Sequence, residues 1–282
     1  MAFKDMHNEV GKKVGMSVLE ELRRQISALD GRILRDFAER MALSAQVAEY
    51  KMKTKGRVFV PEQEKKKILE AKSSLTSPLS NYAGALAHTL LRLSRARQYE
   101  LFLEQDRSWE LRCLLTEAKV QKDRFNVVVS LGGAPIEQIY PDSHVVVVST
   151  VDELIHHVRD GSAEVALIPL TDESLQLMEN QQLYIQARLA HHLAIGRKLV
   201  IPTTAKRVSL SMSKPRETRE LATIINIFAD LDLAVTELRM VGERFFIEFL
   251  ADPESKAVLQ ALYQLEQETE GMLLLGWYSY LA

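Results

Sequence analysis

Apolar residues recur at intervals of three and four through Leu19, Leu22, Ile26, Leu29, Ile33 and Phe37, and Val47 continues the stripe. That period lays them along one face of an α-helix. Ser17 and Glu20 form a Ser-x-x-Glu capping box just ahead of it, so the spacing predicts a helix from Val18 to about Lys53. At about 1.5 Å of rise per residue such a helix is roughly 50 Å long, more than the width of a small domain, and needs partners along its whole length. Gly56 and Pro61 in "KTKGRVFVP" break the pattern, and Pro61 opens a shorter helix, "PEQEKKKILEAKSSL". A third helical pattern, with Leu86, Leu90, Leu93 and Leu101, runs from about Asn81 into the 110s. Residues 1–122 therefore read as an all-α segment of three helices: long, short and long.

The period then changes. "FNVVVSL", "HVVVVST" and "AEVALIPL" are short valine-rich runs, and "VDELIHHVRDG" between the last two is a helix closed by Gly161. Strand, helix, strand at this length is a β-α-β unit of a parallel sheet, so residues 124–205 are expected to form a small α/β domain. In 206–282 the order is "KRVSLSM" strand, "RETRELATIINIFADLD" helix, "AVTELRMV" strand, "RFFIEFLA" strand, "ESKAVLQALYQLEQE" helix and "GMLLLGWYSYL" strand. Val241, Gly242 and Glu243 make the turn between the central strands. This is the β-α-β-β-α-β pattern of an α+β ferredoxin-like domain.

Composition is that of a protein able to bury cores: of 282 residues, 46% are apolar and 26% charged. A net charge of -2 gives no global attraction to nucleic acid or an anionic membrane, so any anion must be gripped locally. The single cysteine, Cys113, excludes an intrachain disulfide and a cysteine-based zinc cluster, and its helical run reads as a small buried residue. No segment approaches about 18 uncharged apolar residues, and the start lacks a signal-peptide core, which points to the cytoplasm.

Arg40 and Lys51 sit on the apolar side of the first helix, where cations are costly. Eleven residues is close to three whole turns, so the two share a face. Arg23 lies seventeen residues before Arg40, rotated by about a quarter turn and on the order of 25 Å away along the axis. It cannot serve the same pocket from the same chain. On the third helix Ser94 and Gln98 form an i, i+4 pair on a stripe with Ala87, Leu91, Leu101 and Phe102, and Glu64 on the short helix can complete a polar cluster. Taken singly, each charged residue reads equally well as a snorkelling or salt-bridged group at a helix border. Spread over three helices with both cations on one face, the set points to a bound anion.

"LEELRRQISALDGRIL", "AERMALSAQVAEYK", Glu64 and "SRARQ" resemble the all-helical chorismate mutases, including those fused ahead of prephenate dehydratases. The resemblance implies a homodimer of intertwined helices that rearranges chorismate to prephenate without cofactor or metal, each site borrowing one arginine. By position, Arg23 is the borrowed arginine, Arg40 and Lys51 the resident cations, and Glu64 the carboxylate for a substrate hydroxyl. Gln98 joins Lys51 at the ether oxygen, and Ser94 is a substrate contact. Two positions depart from the family: Val60 stands where an Asp is usual and Gln63 where an Arg is usual.

"STVDELIHHVRDGSAEVALIPL" resembles part of a prephenate dehydratase, but Thr171 to Ser174 lack the catalytic Asn, and "GRKLVIPTT" lies near where a Thr-Arg-Phe motif is expected. The segment is thus expected to be an inactive remnant. The C-terminal pattern resembles an ACT domain, which would make an aromatic amino acid the candidate effector. There "RETREL" replaces the usual Gly-Ala-Leu turn, and Glu237 to Met240 the usual Glu-Ser-Arg-Pro. Two alternatives stand beside the mutase: a bifunctional mutase and dehydratase, and a non-catalytic regulator binding aromatic metabolites. "LGGAP" at 131–135 reads as a turn, the paired histidines at 156–157 and 191–192 diverge rather than converge on a metal, Lys65 to Lys67 read as a solvated face, and Trp277 as core.

Overall fold

The computed structural model describes residues 3–120, 125–132, 142–189, 191–201, 207–252 and 255–280. Most of "LGGAP" and the end of "GRKLVIPTT" lie outside the described residues, as does the Ser17 side chain. The chain divides into two compact units, 1–102 and 103–282.

The first unit is helical: α1 (Phe3–Thr54), α2 (Pro61–Ser74) and most of α3 (Ser80–Gln105). α1 begins at Phe3 rather than Val18, because no proline between them stops the helix. It ends in a left-handed turn at Lys55, where the Gly56 N–H donates to the Lys51 carbonyl at 2.8 Å. α3 stops at Gln105 instead of running into the 110s. The Asp106 carboxylate takes the Ser108 N–H at 3.0 Å and hydroxyl at 2.8 Å, a local turn that competes with helical hydrogen bonding. α2 has no fully buried residue, and Val60 at its N-cap offers no side-chain hydrogen bond. Along α1 the stripe of Leu19, Leu22, Ile26, Leu29 and Ile33 stays exposed in the single chain, Ile33 at 59%.

The second unit starts with α4 (Glu110–Glu117), on which Cys113 is exposed rather than buried. Leu111 takes the buried side, and a residue two positions on faces away from it. β1 (Lys119–Val120) pairs in parallel with β7 (Val200–Ile201). The other strands are β2 (Val127–Leu131), β3 (His144–Val148), β4 (Val165–Pro169), β5 (Tyr184–Leu189), β6 (His192–Gly196), β8 (Arg207–Ser213), β9 (Val235–Val241), β10 (Arg244–Leu250) and β11 (Leu273–Tyr280). They form one mixed sheet of nine in the order β3-β2-β4-β6-β5-β11-β8-β10-β9. It runs unbroken through both segments that the change of pattern near residue 206 distinguishes, joined by parallel pairing of β11 with β5. A Cβ on Gly276 would collide with the Ile185 backbone carbonyl, so this junction requires glycine.

α5 (Val151–Asp160) carries a complete capping box at Thr150 and Glu153 and buries Leu154, Ile155 and Val158. With α6 (Asp172–Gln181) it covers a core that includes Val129, Ile185, Phe246 and Tyr278. α7 (Thr218–Asp230) and α8 (Lys256–Glu268) complete the β-α-β-β-α-β order of the C-terminal segment, where the strands stand as β11-β8-β10-β9 and every neighbouring pair is antiparallel. Phe228 of α7 packs on Phe249 of β10 at 4.9 Å between ring centroids. Trp277 is wholly buried, as its pattern predicts.

A charged network lies inside this sheet. Glu248 is fully buried, and its Oε2 accepts from Arg188 and from the Tyr278 hydroxyl, each at 2.6 Å. Its Oε1 accepts from Arg207 and, at 3.0 Å, from Thr236. Burial alone would raise the Glu248 pKa, but the Tyr278, Arg207 and Arg188 donors outweigh it and hold the carboxyl below its ordinary value.

Candidate active site

Arg40, Ser44, Val47 and Lys51 recur at four, three and four along α1 and form one wall of a cavity of about 320 Å³. Val60, Gln63, Glu64 and Lys67 supply a second wall from the start of α2, and Leu91, Ser94, Arg95 and Gln98 a third from α3. The volume suits a small organic ligand. Thus five of the six residues singled out by sequence line one space, and so do the departing positions Val60 and Gln63. Arg23 does not line it; it is exposed on α1, with no hydrogen bond or ion pair among the described residues.

The cations are anchored by backbone carbonyls. Arg40 Nη1 donates to the Leu90 carbonyl at 2.8 Å and to the Ser94 hydroxyl. Lys51 Nζ donates to the Val58 carbonyl at 2.9 Å, tying the end of α1 to the connection that leads into α2. Burial lowers the pKa of both. For Lys51, the Glu64 carboxylate opposes that effect and Lys67 adds to it. Gln98 Nε2 donates to the Ser94 carbonyl at 3.2 Å, while its buried Oε1 has no hydrogen-bond partner among the described residues. An orphaned buried amide oxygen costs about 1 to 3 kcal/mol, which a bound donor would recover.

Two features went unread in the sequence. Arg95, only 4% exposed, donates through Nη1 to Glu64 Oε2 and lies 4.7 Å over the Phe59 ring. Its signal was its place: Arg95 is four residues beyond Leu91, on the same inward stripe, as Arg40 is on α1. Lys65, Lys66 and Lys67 are all exposed, as a solvated face requires, and Lys67 also borders the cavity because it sits three residues after Glu64. Arg40, Lys51 and Lys67 stand beside the charge-neutral pair of Arg95 and Glu64, a formal excess of +3. The chemistry this permits is the binding of an anion carrying more than one charge, with donors held in place beforehand.

In the second unit, Thr171 to Ser174 are the N-cap and first turn of α6, where the Thr171 hydroxyl accepts from the Ser174 N–H at 3.3 Å. Among the described residues no helix is long and apolar enough to cross a membrane.

Residues 22–99 match the family model of chorismate mutase type II. No curated protein matches the chain. Solved structures similar to it include GqqA, described as a novel type of quorum quenching acylases, at 21% identity, covering 54% of this chain and 94% of that one with a TM-score of 0.46. Another is a prephenate dehydratase from Streptococcus mutans, at 17% identity over 56% of this chain and 100% of that one, with a TM-score of 0.44. A third is a prephenate dehydratase from Arthrobacter aurescens in complex with L-Phe, at 12% identity, 54% and 89% coverage and a TM-score of 0.44.

Proposed function

We propose that the helical unit is a chorismate mutase acting as an intertwined homodimer, in which Arg23 of each chain completes the cavity of the other. The observation that carries the reading is that Arg40, Lys51, Glu64, Ser94 and Gln98 line one cavity inside a segment matching the chorismate mutase type II model. The cationic excess suits a dicarboxylate such as chorismate. The exposed stripe of Leu19, Leu22, Ile26, Leu29 and Ile33, on the same helix as Arg23, supports a second copy of the chain as its cover.

The rearrangement is pericyclic and moves no proton, so holding one conformer and stabilising negative charge on the ether oxygen suffice. Arg40 and the other chain's Arg23 grip the two carboxylates. Lys51 has N–H donors to spare beyond the one directed at Val58, and it donates to the ether oxygen together with the Gln98 amide. Glu64 accepts the substrate hydroxyl, and Ser94, already fixed by Arg40, lends a further contact. A donor aimed at developing charge is worth about 3 to 4 kcal/mol at the transition state.

In this reading 1–122 is the catalytic segment, 124–205 a dehydratase-like remnant without activity, and 206–282 a ferredoxin-like segment of the ACT type, with an aromatic amino acid as candidate effector. A chorismate-depletion assay with and without phenylalanine tests catalysis and regulation together; turnover is expected with no added metal, and prephenate is expected to accumulate without conversion to phenylpyruvate. The presence of Val60 and Gln63 in the cavity wall favours a second reading, a non-catalytic binder of aromatic metabolites, which saturable chorismate binding without turnover would support.

A further inference from the structure

α2 carries one wall of the cavity, yet little holds it there. It buries no residue fully, and its N-cap contributes no side-chain hydrogen bond. At its far end the Ser80 hydroxyl donates to the Lys72 carbonyl at 2.7 Å, two turns beyond Glu64. Near the cavity the ion pair of Arg95 and Glu64, whose side chains are only 5% and 16% exposed, ties α2 to α3. The Arg95 guanidinium also lies over Phe59, the residue just before the N-cap, so one side chain grips both the helix and the connection that enters it.

We infer that Arg95 is a positioning residue: it fixes the α2 wall and aims the Glu64 carboxylate at the ligand, reaching the reaction only through Glu64. This inference rests on the chorismate mutase reading and adds to it a residue and a role. A carboxylate that accepts the substrate hydroxyl binds ground state and transition state alike, so losing its aim raises KM and leaves kcat nearly unchanged. Lysine keeps the charge but not the planar fork or the stacking on Phe59, so it restores the wall in part.

The test is a double-mutant cycle in the full chain with chorismate as substrate, using Arg95→Met, Arg95→Lys, Glu64→Gln and the Arg95→Met/Glu64→Gln pair. Arg95→Met is expected to raise KM by about tenfold with kcat within about threefold, and Arg95→Lys to fall between it and the wild type. In the Glu64→Gln background Arg95→Met should add less than about twofold, because the group it positions is already gone. Circular dichroism checks folding; if Arg95→Met loses its helical signal, the cycle is run with Arg95→Lys. A loss confined to kcat with KM unchanged, equal losses in both backgrounds, or Arg95→Met kinetics equal to the wild type would each overturn the inference while leaving the mutase reading in place. A wild-type protein that leaves chorismate untouched overturns that reading, and this inference with it.

Discussion

Arg40 on α1 donates through Nη1 to the hydroxyl of Ser94 on α3, linking two helices through residues 54 positions apart in the chain. The same guanidinium nitrogen also holds the Leu90 carbonyl at 2.8 Å, so its orientation is set before any ligand arrives. Truncating it to Arg40→Ala should lower kcat/KM for chorismate by at least about a hundredfold, the scale of a lost charge-assisted clamp, while the helical circular dichroism signal stays intact. Steady-state kinetics measures this directly.

Lys51 should be the most damaging single truncation. Lys51→Ala removes a donor at the ether oxygen and is expected to cost a factor of about 10² to 10³ in kcat. The pH profile adds a sign. Burial lowers the Lys51 pKa, so as pH rises the ammonium is lost below the ordinary lysine value of 10.5, and kcat/KM should fall along an alkaline limb lying below it. In Lys51→Arg that limb should be absent from the residual activity.

What the sequence made legible follows from which forces are local. The three-residue and four-residue spacing of apolar positions locates α1 and α3, Pro61 marks the start of α2, and cations out of place on that spacing point to Arg40 and Lys51. Arg95 obeys the same rule, four residues beyond Leu91, but a single arginine on a helix reads equally well as a group at its solvated border. In the second unit the pattern does not mark β5, β6 or α6: Gln186 and Arg188 interrupt Tyr184–Leu189, and the apolar run in His192–Gly196 is too short to stand out. Nor can a strand's own pattern name its neighbour: the β11 to β5 pairing that unites the sheet depends on Gly276 admitting the Ile185 carbonyl, a long-range fit invisible to periodicity.

That junction makes its own prediction. Gly276→Ala forces a methyl group against backbone that cannot step aside, so the second unit should melt at a clearly lower temperature, with loss of about 1 to 3 kcal/mol by denaturant titration. Mutase activity, assigned to the first unit, serves as the internal comparison.

The network around Glu248 predicts a pH dependence of stability. Its pKa is depressed in the folded chain, so the stability it contributes is complete above the ordinary value of 4.5 and is lost as pH falls through the lowered one. Glu248→Ala removes the carboxylate that buried Arg188 and half-buried Arg207 share, leaving Arg188 its ion pair with Glu237, and should cost about 3 kcal/mol. Thermal melts of wild type and variant between neutral and acid pH should converge as the acid is approached.

The central claim is that each cavity is finished by another chain's Arg23, and co-expression of two inactive variants tests it most directly. In a mixed dimer of Arg23→Ala and Lys51→Ala chains, one cavity has its own Lys51 and receives an intact Arg23, while the other lacks both. With random pairing the account predicts recovery to about one quarter of wild-type activity from two preparations that are each nearly inactive. Activity no greater than the sum of the two variants alone would contradict it.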